Sequence, residues 1–549
     1  MATTRRLDAY HFHEADWDDF DDLRAGFEWD VPERFNIAAY ACDRWAGEKR
    51  RVALFDDAGE TWTFWQLRNR ANRLANYLRG QGVERGDRVA VSGSQRPAGM
   101  VGHLAAWKLG AVSVPLSVLL GPDGLGYRLA DCDASAFVVD GESAPTLRES
   151  DVAVDTVLTT GDAAPRDGEV ALDDALAGES RTFETVETRH DDDAIMIYTS
   201  GTTGRPKGVV QNHHILLGVL PCLLAGAFDM DLRESDVGRT VVEWSWAGAL
   251  NDFVLPHWFY GLPVVGQPHG EFDPEAEFER IERYGVTVLN GPPTALRMLM
   301  QVDAPDERWD LSSVRSVWSG GEAVGQSIVE WADETFAGAV VHEGYGQTEA
   351  PAFIGDCSAL GVEHRPGCMG RPSPGSEVTF VDSAGETGAE YGEIALRYEG
   401  HPGTFDRYWQ RPEQTAEKVR DGWLLTEDLG EDREGYVAFD TRKDDVIISS
   451  GYRIGPEEVE ETVARHDAVA NAGVIGVPDE TRGEAVKAFV VLAAGYEPSE
   501  ELKDDIRSFV RESLAKYEYP RHVEFIDELP TTTSGKVRRL DLREREGLD

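Results

Sequence analysis

Short apolar runs of strand length alternate with helical stretches along most of this chain, and that alternation limits its fold more than any other feature. GDRVAVSG (86–93) reads as a strand leaving a turn, a helical stretch covers 97–109, and AVSVPLSVL (111–119) is strand-like again. The same order returns in VTVLNG (286–291), TALRMLMQ (294–301) and VRSVWSGGEAV (314–324). Strands separated by helices predict an α/β architecture with mainly parallel sheets. Near residues 430–450 the texture shifts to short strands and turns. NAGVIGVP (471–478), AVKAFVVLA (485–493), a helical pattern over 499–516 and HVEFID (522–527) then predict a small α+β domain. With 549 residues and 41% hydrophobic content the chain exceeds a single core, so we place a large domain at 1–443 and a small one at 444–549.

Charge narrows the partners. The net charge is −46, spread along the chain, and only nine residues are lysine. Such a balance argues against a basic face for nucleic acid or anionic membrane. The aromatic content and apolar runs argue against disorder. An acidic, lysine-poor globular chain resembles the cytoplasmic proteins of salt-loving archaea, where salt screens the self-repulsion. No run approaches ~20 apolar residues, and the start lacks a signal-peptide stretch, so a cytoplasmic location without a membrane span is expected. Cys42, Cys132, Cys222, Cys357 and Cys368 lie far apart with no CxxC pair, which predicts reduced, packed thiols and no zinc site.

YTSGTTGRPKGV (198–209) concentrates glycines, hydroxyls and one lysine. Thr199, Ser200, Gly201, Thr202, Thr203, Gly204 and Lys207 offer backbone amides, hydroxyls and a point charge to a polyphosphate. Taken alone, the same loop also reads as a surface turn. It is not a P-loop, because Lys207 precedes Gly208 and Lys536 precedes Val537, where that motif needs Ser or Thr. HEGYGQTE (342–349) adds Tyr345 to stack on a base, Thr348 for a phosphate oxygen and Glu349 for Mg²⁺, which prefers oxygen ligands. SGGEAV (319–324) offers close backbone, LLTEDLG contributes Asp428, FDTRKDD contributes Arg442, and PTTTSGKVRR (530–539) carries Lys536.

In this order the stretches, together with SSGYRIGPEEVE (449–460), resemble the adenylate-forming superfamily of acyl-CoA synthetases, luciferases and peptide-synthetase adenylation domains. VPERFN (31–36) and YPRHVEF (519–525) look most like the medium-chain acyl-CoA synthetases. The resemblance implies a two-step ligase using ATP, Mg²⁺, coenzyme A and a small carboxylic acid. Glu349 would bind the metal, Thr348 and the 199–207 loop the phosphates, and Lys536 would bridge the carboxylate and the α-phosphate. Gly321, Glu322, Ala323, Gly344, Tyr345, Gly346 and Gln347 would frame the adenine side, with Asp428 and Arg442 at the ribose and Arg453 near phosphate. A hinge at Asp444 would bring Ser450, Gly451, Tyr452, Tyr519, Pro520 and Arg521 toward CoA.

Three positions depart from the family pattern: Glu427 and Thr441 stand where Gly is usual, and Ala323 where Pro is common. EWSWAGALNDF (243–253) aligns with the acyl-pocket helix and makes Trp246 a candidate wall. An amino-acid-adenylating enzyme wants a carboxylate on this segment, and the aligned residue is Gly248. Acetyl-CoA synthetases carry tryptophan where this chain has Gly346, so a pocket for acids of about four to ten carbons is expected. The alternatives are a catalytically silent adenylate-binding relative, a ligase for a short branched or aromatic acid, and a luciferase-like oxidase.

Overall fold

The computed structural model describes residues 4–548 apart from 57, 162, 200–204, 268–269, 271, 444, 450–451, 480–481, 515–517 and 532–536. The chain divides into two compact units. Met1–Val378, Leu396–Leu424 and Glu434–Val437 form the first; Thr379–Ala395, Leu425–Arg433 and Ala438–Asp549 form the second.

The first unit is built on two large sheets. In one, the strands Asp193–Thr199, Val112–Leu116, Arg88–Ser92, Ala134–Val139, Thr156–Thr159 and Glu169–Ala171 lie side by side in that order, paired in parallel. Lys207–Asn212 then joins Asp193–Thr199 antiparallel. In the other sheet, Val340–Gln347, Ser316–Gly320, Val288–Asn290 and Gly238–Thr240 run parallel, and Ala350–Gly355 turns back antiparallel on Val340–Gln347. The mainly parallel α/β architecture read from the alternation is therefore what the chain adopts.

Local chemistry sets where the helices begin and end. Pro97 opens the helix Pro97–Leu109, and Gly110 closes it at φ 71°. Asp273 caps Pro274–Tyr284 by accepting from the amides of Glu275 and Ala276, and Gly285 closes it at φ 60°. These are the proline-first and glycine-last preferences of helix termini. The helix Ile215–Ala225 is buried at every residue, as its wholly apolar sequence requires.

The second unit, which takes in Thr379–Ala395 and Leu425–Arg433 besides the chain from Ala438, contains a small α+β body. Val469–Asp479 and Gly483–Leu492 pair antiparallel, His522–Phe525 adds in parallel, and the helices Pro456–Ala464, Glu500–Ser513 and Arg539–Arg545 cover the sheet. Alternate residues feed two cores: Ala472 and Val474 face one cluster with Val459, Val463, Ile506 and Val510, while Ile475 and Val477 face another with Phe489, Leu529 and Leu542. Val469 joins the first cluster out of phase, because a bulge between Val469 and Asn471 shifts the register.

All five cysteines are free and buried. No helix among the described residues is long and apolar enough to cross a membrane.

A charge cluster marks the second unit. Arg539 pairs with Asp445 at 2.7 Å, Glu457 at 2.8 Å and Glu460 at 2.7 Å, and Thr441 Oγ1 donates to Glu457 at 3.1 Å. Three carboxyls share one guanidinium. The Glu457 pKa is raised to about 7, chiefly by desolvation, with Arg539 opposing the rise and Glu460 and Asp445 adding to it.

A folded pKa above the ordinary glutamate value of 4.5 favours the fold fully below that value and loses the contribution as pH rises through about 7. The contribution is therefore lost between about pH 5 and pH 8. Glu457→Gln should then melt at or below the parent temperature near pH 5 and above it near pH 8. Parallel melting curves for the two proteins at all pH values would contradict this.

Candidate active site

The antiparallel pairing of Asp193–Thr199 with Lys207–Asn212 sets Thr199 opposite Lys207, with the glycine-rich loop between them. Ser200, Gly201, Thr202, Thr203 and Gly204 lie outside the described residues, as do Asp444, Ser450, Gly451 and Lys536. Lys207 Nζ sits 4.6 Å from the centre of the Tyr408 ring. The Tyr408 hydroxyl donates to Glu349 Oε1 at 2.5 Å, and Glu349 is buried. One tyrosine thus joins the lysine of the phosphate-type loop to the expected metal carboxylate.

Thr348 is fixed through its carbonyl. Gln211 Nε2 donates to Thr348 O at 2.7 Å, and Asn251 Nδ2 donates to Gln211 Oε1 at 2.6 Å. Glu349 O in turn accepts from Phe405 N at 2.7 Å. A buried carboxylate held by a phenol is an oxygen donor of the kind Mg²⁺ takes, so the residues fit that ion. The one cluster of three metal-capable side chains among the described residues, His11, His13 and Glu14, has its carboxylate bonded to Arg6 at 2.5 Å.

Gly321 leaves the strand Ser316–Gly320 at φ 84°. Glu322 is engaged by Thr294 Oγ1 at 2.9 Å to both oxygens and by Arg297 at 3.4 Å, while Ala323 is exposed. Val324 anchors this loop. Its amide donates to Glu343 Oε2 at 3.2 Å, and its carbonyl faces His364 Nε2 at 3.2 Å. His364 Nδ1 meets Asp356 Oδ2 at 3.1 Å, and that oxygen also accepts from Glu343 N at 2.8 Å. Tyr345 is half-buried and packs edge-on against Phe353 with centroids 5.3 Å apart.

Close backbone approach explains the glycines here. A Cβ at Gly320 would lie 2.1 Å from Gly344 O, and one at Gly344 would lie 2.0 Å from the Trp318 ring. Gly346 sits at the bulge between Tyr345 and Gln347, where a Cβ would lie 2.3 Å from Ala352 N. Its missing side chain therefore accommodates the neighbouring strand, a different reason from the open acyl pocket expected of it. Gln347 is half-buried, as is Trp246, which precedes the short helix Ala247–Ala249.

In the second unit Asp428 and Arg442 come together. Arg442 Nη1 lies 3.5 Å from Asp428 Oδ1, and Nη2 lies 3.2 Å from Glu427 Oε2. Lys443 N donates to Glu427 O at 2.8 Å, tying the two segments. Glu427 has φ 67°, which explains why glycine is usual there. Thr441, the other departure, is buried and spends its hydroxyl on Glu457.

Of the CoA candidates, Tyr452 and Arg453 lie on the strand Tyr452–Ile454, which forms a hairpin with Ile447–Ser449. Arg521 stacks on the Tyr519 ring at 3.9 Å, and Tyr519 also packs on the small unit's core. Pro520 is buried.

Tyr408, Gln211, Asn251, Asp356 and His364 were not singled out from the sequence. Each acts by position, on a residue distant in the chain, and the one local signal is the YW pair of DRYWQRP (406–412) beside the hairpin.

A family model described as "AMP-binding enzyme" matches residues 42–409, and one described as "AMP-binding enzyme C-terminal domain" matches 458–536. The chain is 34% identical over 555 residues to the mitochondrial acyl-coenzyme A synthetase ACSM3 of Mus musculus, covering 96% of this chain and 93% of that protein. It is 35% identical over 530 residues to the acetyl-coenzyme A synthetase of Bacillus subtilis (strain 168), covering 93% and 90%. The solved anthranilate CoA ligase AuaEII in complex with anthranoyl-AMP superposes with a TM-score of 0.85 at 28% identity, covering 94% of this chain and 98% of that one. With both models matched in chain order on an α/β body and a smaller second unit, this chain belongs to the AMP-binding enzyme family.

Proposed function

We propose that the chain activates a carboxylic acid of medium length to its acyl-AMP and transfers the acyl group to coenzyme A. The class is that of AMP-forming acid–thiol ligases, in keeping with its acyl-CoA and acetyl-CoA synthetase relatives. In the first step a carboxylate oxygen attacks the α-phosphorus of ATP, and the bond to the β-phosphate oxygen breaks to release pyrophosphate. In the second, the CoA sulfur attacks the acyl carbon, its proton leaves to solvent, and AMP departs.

The observation that carries this reading is the Lys207–Tyr408–Glu349 assembly at the end of the glycine-rich hairpin. Lys207 would neutralise β- and γ-phosphate oxygens, and Tyr408 would orient Glu349. Mg²⁺ held at Glu349 would supply charge to the phosphates. Gly321, Glu322, Ala323 and Tyr345 would frame the adenine, Asp428 and Arg442 the ribose, and Lys536 would approach from the second unit about a hinge at Asp444. Tyr519, Pro520 and Arg521, with Ser450, Gly451 and Tyr452, are our assignment for CoA, and Trp246 for the acyl wall.

The reading is tested by AMP release and acyl-CoA mass with ATP, CoA and straight-chain acids of two to twelve carbons. AMP and thioester formed in equal amounts, with an optimum at about four to ten carbons, is the expected result. AMP release without thioester, or no acid dependence, would overturn it.

The net charge of −46 and the reduced thiols suit a cytoplasm rich in salt. Surface carboxylates repel across a Debye length of ~10 Å at 0.1 M salt and much less at ~3 Å in 1 M salt. Activity and thermal midpoint should therefore both rise from dilute buffer to molar KCl. A maximum in dilute buffer would refute the halophilic assignment.

A further inference from the structure

The stretch EWSWAGALNDF gathers buried polar atoms that have no hydrogen-bond partner among the described residues: Trp244 Nε1, Ser245 Oγ, Asn251 Oδ1 and Asp252 Oδ1. Buried polar groups are normally satisfied, and an orphan calls for a physical explanation. Asp252 stands apart from the other three. Its Oδ1 is sealed, yet the residue as a whole keeps a solvent-accessible part, unlike Trp244, Ser245 and Asn251, which are buried. Desolvation by the surrounding protein holds its carboxyl pKa well above the carboxylate range. Asp252 thus combines a sealed carboxyl oxygen with a residue that is only partly buried.

Its place in the fold ties that carboxyl to the site. Asp252 lies on the π-helical turn Leu250–Val254, which continues the short helix Ala247–Ala249; such turns concentrate at functional sites. Gly248 precedes it by four residues, on the same helical face. That glycine is exposed and a Cβ there would meet nothing within 4 Å, so the face is open. Asn251, the adjacent residue, reaches through Gln211 to the carbonyl of Thr348, on the loop assigned to the phosphates. Packed against the π-turn are the wholly buried helix Ile215–Ala225, the buried strands Ala350–Gly355 and Gly238–Thr240, and the helix Leu255–Phe259 that continues it.

An unsubstituted hydrocarbon chain laid against this helical face would return no hydrogen bond to the carboxyl. A donor on the acid would return one. We propose that Asp252 is a specificity-determining residue of the acyl cavity, and that the preferred acid carries a hydrogen-bond donor, a hydroxyl or an amine, on its acyl chain opposite Asp252. This rests on the CoA-ligase reading and refines its substrate class. A hydroxyl donates to the carboxyl oxygen in either protonation state of Asp252, whereas an ammonium group requires the carboxylate.

The test is AMP release by the full-length protein, with kcat and KM measured separately. The acids are about four to ten carbons long, unsubstituted or bearing a hydroxyl or an amine at successive positions. The parent should prefer one donor-bearing acid over its plain counterpart by at least about tenfold in kcat/KM, because a buried group left unpaired rejects the analogue. Asp252→Leu should reverse that preference, with its thermal midpoint undiminished because the orphan is gone. Asp252→Asn should retain the preference for a hydroxyl acid and abolish that for an amine, which separates the two donors. Should Asp252→Leu fail to fold, the parent panel and Asp252→Asn decide. A parent that turns over plain acids best overturns the assignment to Asp252 and leaves the ligase reading intact. No AMP release with any acid overturns both.

Discussion

Lys536→Ala should lower acyl-AMP formation by a factor on the order of 10²–10³ while sparing thioester formation from supplied acyl-AMP. Attack of a carboxylate on a phosphate brings two anions together, so a cation placed in advance at both oxygens lowers the barrier by several kcal/mol, and its removal is felt in full. The second half-reaction joins a thiol sulfur to an already activated acyl carbon and has no such need. Lys536 follows Gly535 in a run of three threonines, a serine and a glycine. Acid-dependent ATP–pyrophosphate exchange reports the first half-reaction, and acyl-CoA formed from synthetic acyl-AMP reports the second. Lys536→Arg should fall between, since its planar fork keeps the charge but not the compact geometry of the ammonium. Equal losses in both half-reactions would assign Lys536 to general packing of its unit.

Much of this fold is legible in the sequence because parallel strands buried on both faces read as short apolar runs. VAVS, VSVPL and ASAFVV all lie in the same sheet. Helix ends are equally readable where the signal is chemical, as with Pro97 and Gly110 or Asp273 and Gly285. Of the candidate site, the structure brings together Lys207 of YTSGTTGRPKGV and Glu349 of HEGYGQTE, which both meet Tyr408.

What escapes is support across the fold. Tyr408 lies 59 positions from Glu349, and Gln211 lies 137 from Thr348; nothing in either local stretch announces the partner. Asp252 escapes for another reason. Within LNDFV an aspartate reads as a polar helix residue, and only its surroundings reveal that one oxygen is sealed. Glu427 shows the converse, where the family's glycine is explained only once φ is seen to be 67°.

Gly346→Trp should destabilise the large unit by roughly 3 kcal/mol or more and lower activity toward every acid, rather than shifting preference toward acetate. The residue pattern alone predicts a cleaner outcome, with the indole closing an acyl pocket that a hydrogen leaves deep. The backbone argues otherwise. At Gly346 a Cβ would approach Ala352 N to 2.3 Å, Ala350 O to 2.8 Å and the Pro351 carbonyl carbon to 2.9 Å. All three are main-chain atoms of the antiparallel neighbour, which cannot swing aside as a side chain can. Ala352 already holds φ 26°, an uncommon value for a residue with a Cβ, so this turn has little freedom to spare. Any side chain must therefore open the bulge between Tyr345 and Gln347, and with it move Thr348 and Glu349, which follow immediately. Gly346→Ala separates backbone from ring. If the clash dominates, alanine alone should cost most of the stability and activity, and tryptophan should add little. Thermal midpoints and kcat/KM for acetate, butyrate and octanoate in the three proteins decide the matter. A stable tryptophan variant that prefers acetate, beside a fully active alanine variant, would show that the bulge re-forms with the ring in the cavity and would restore Gly346 as the residue that sets pocket depth.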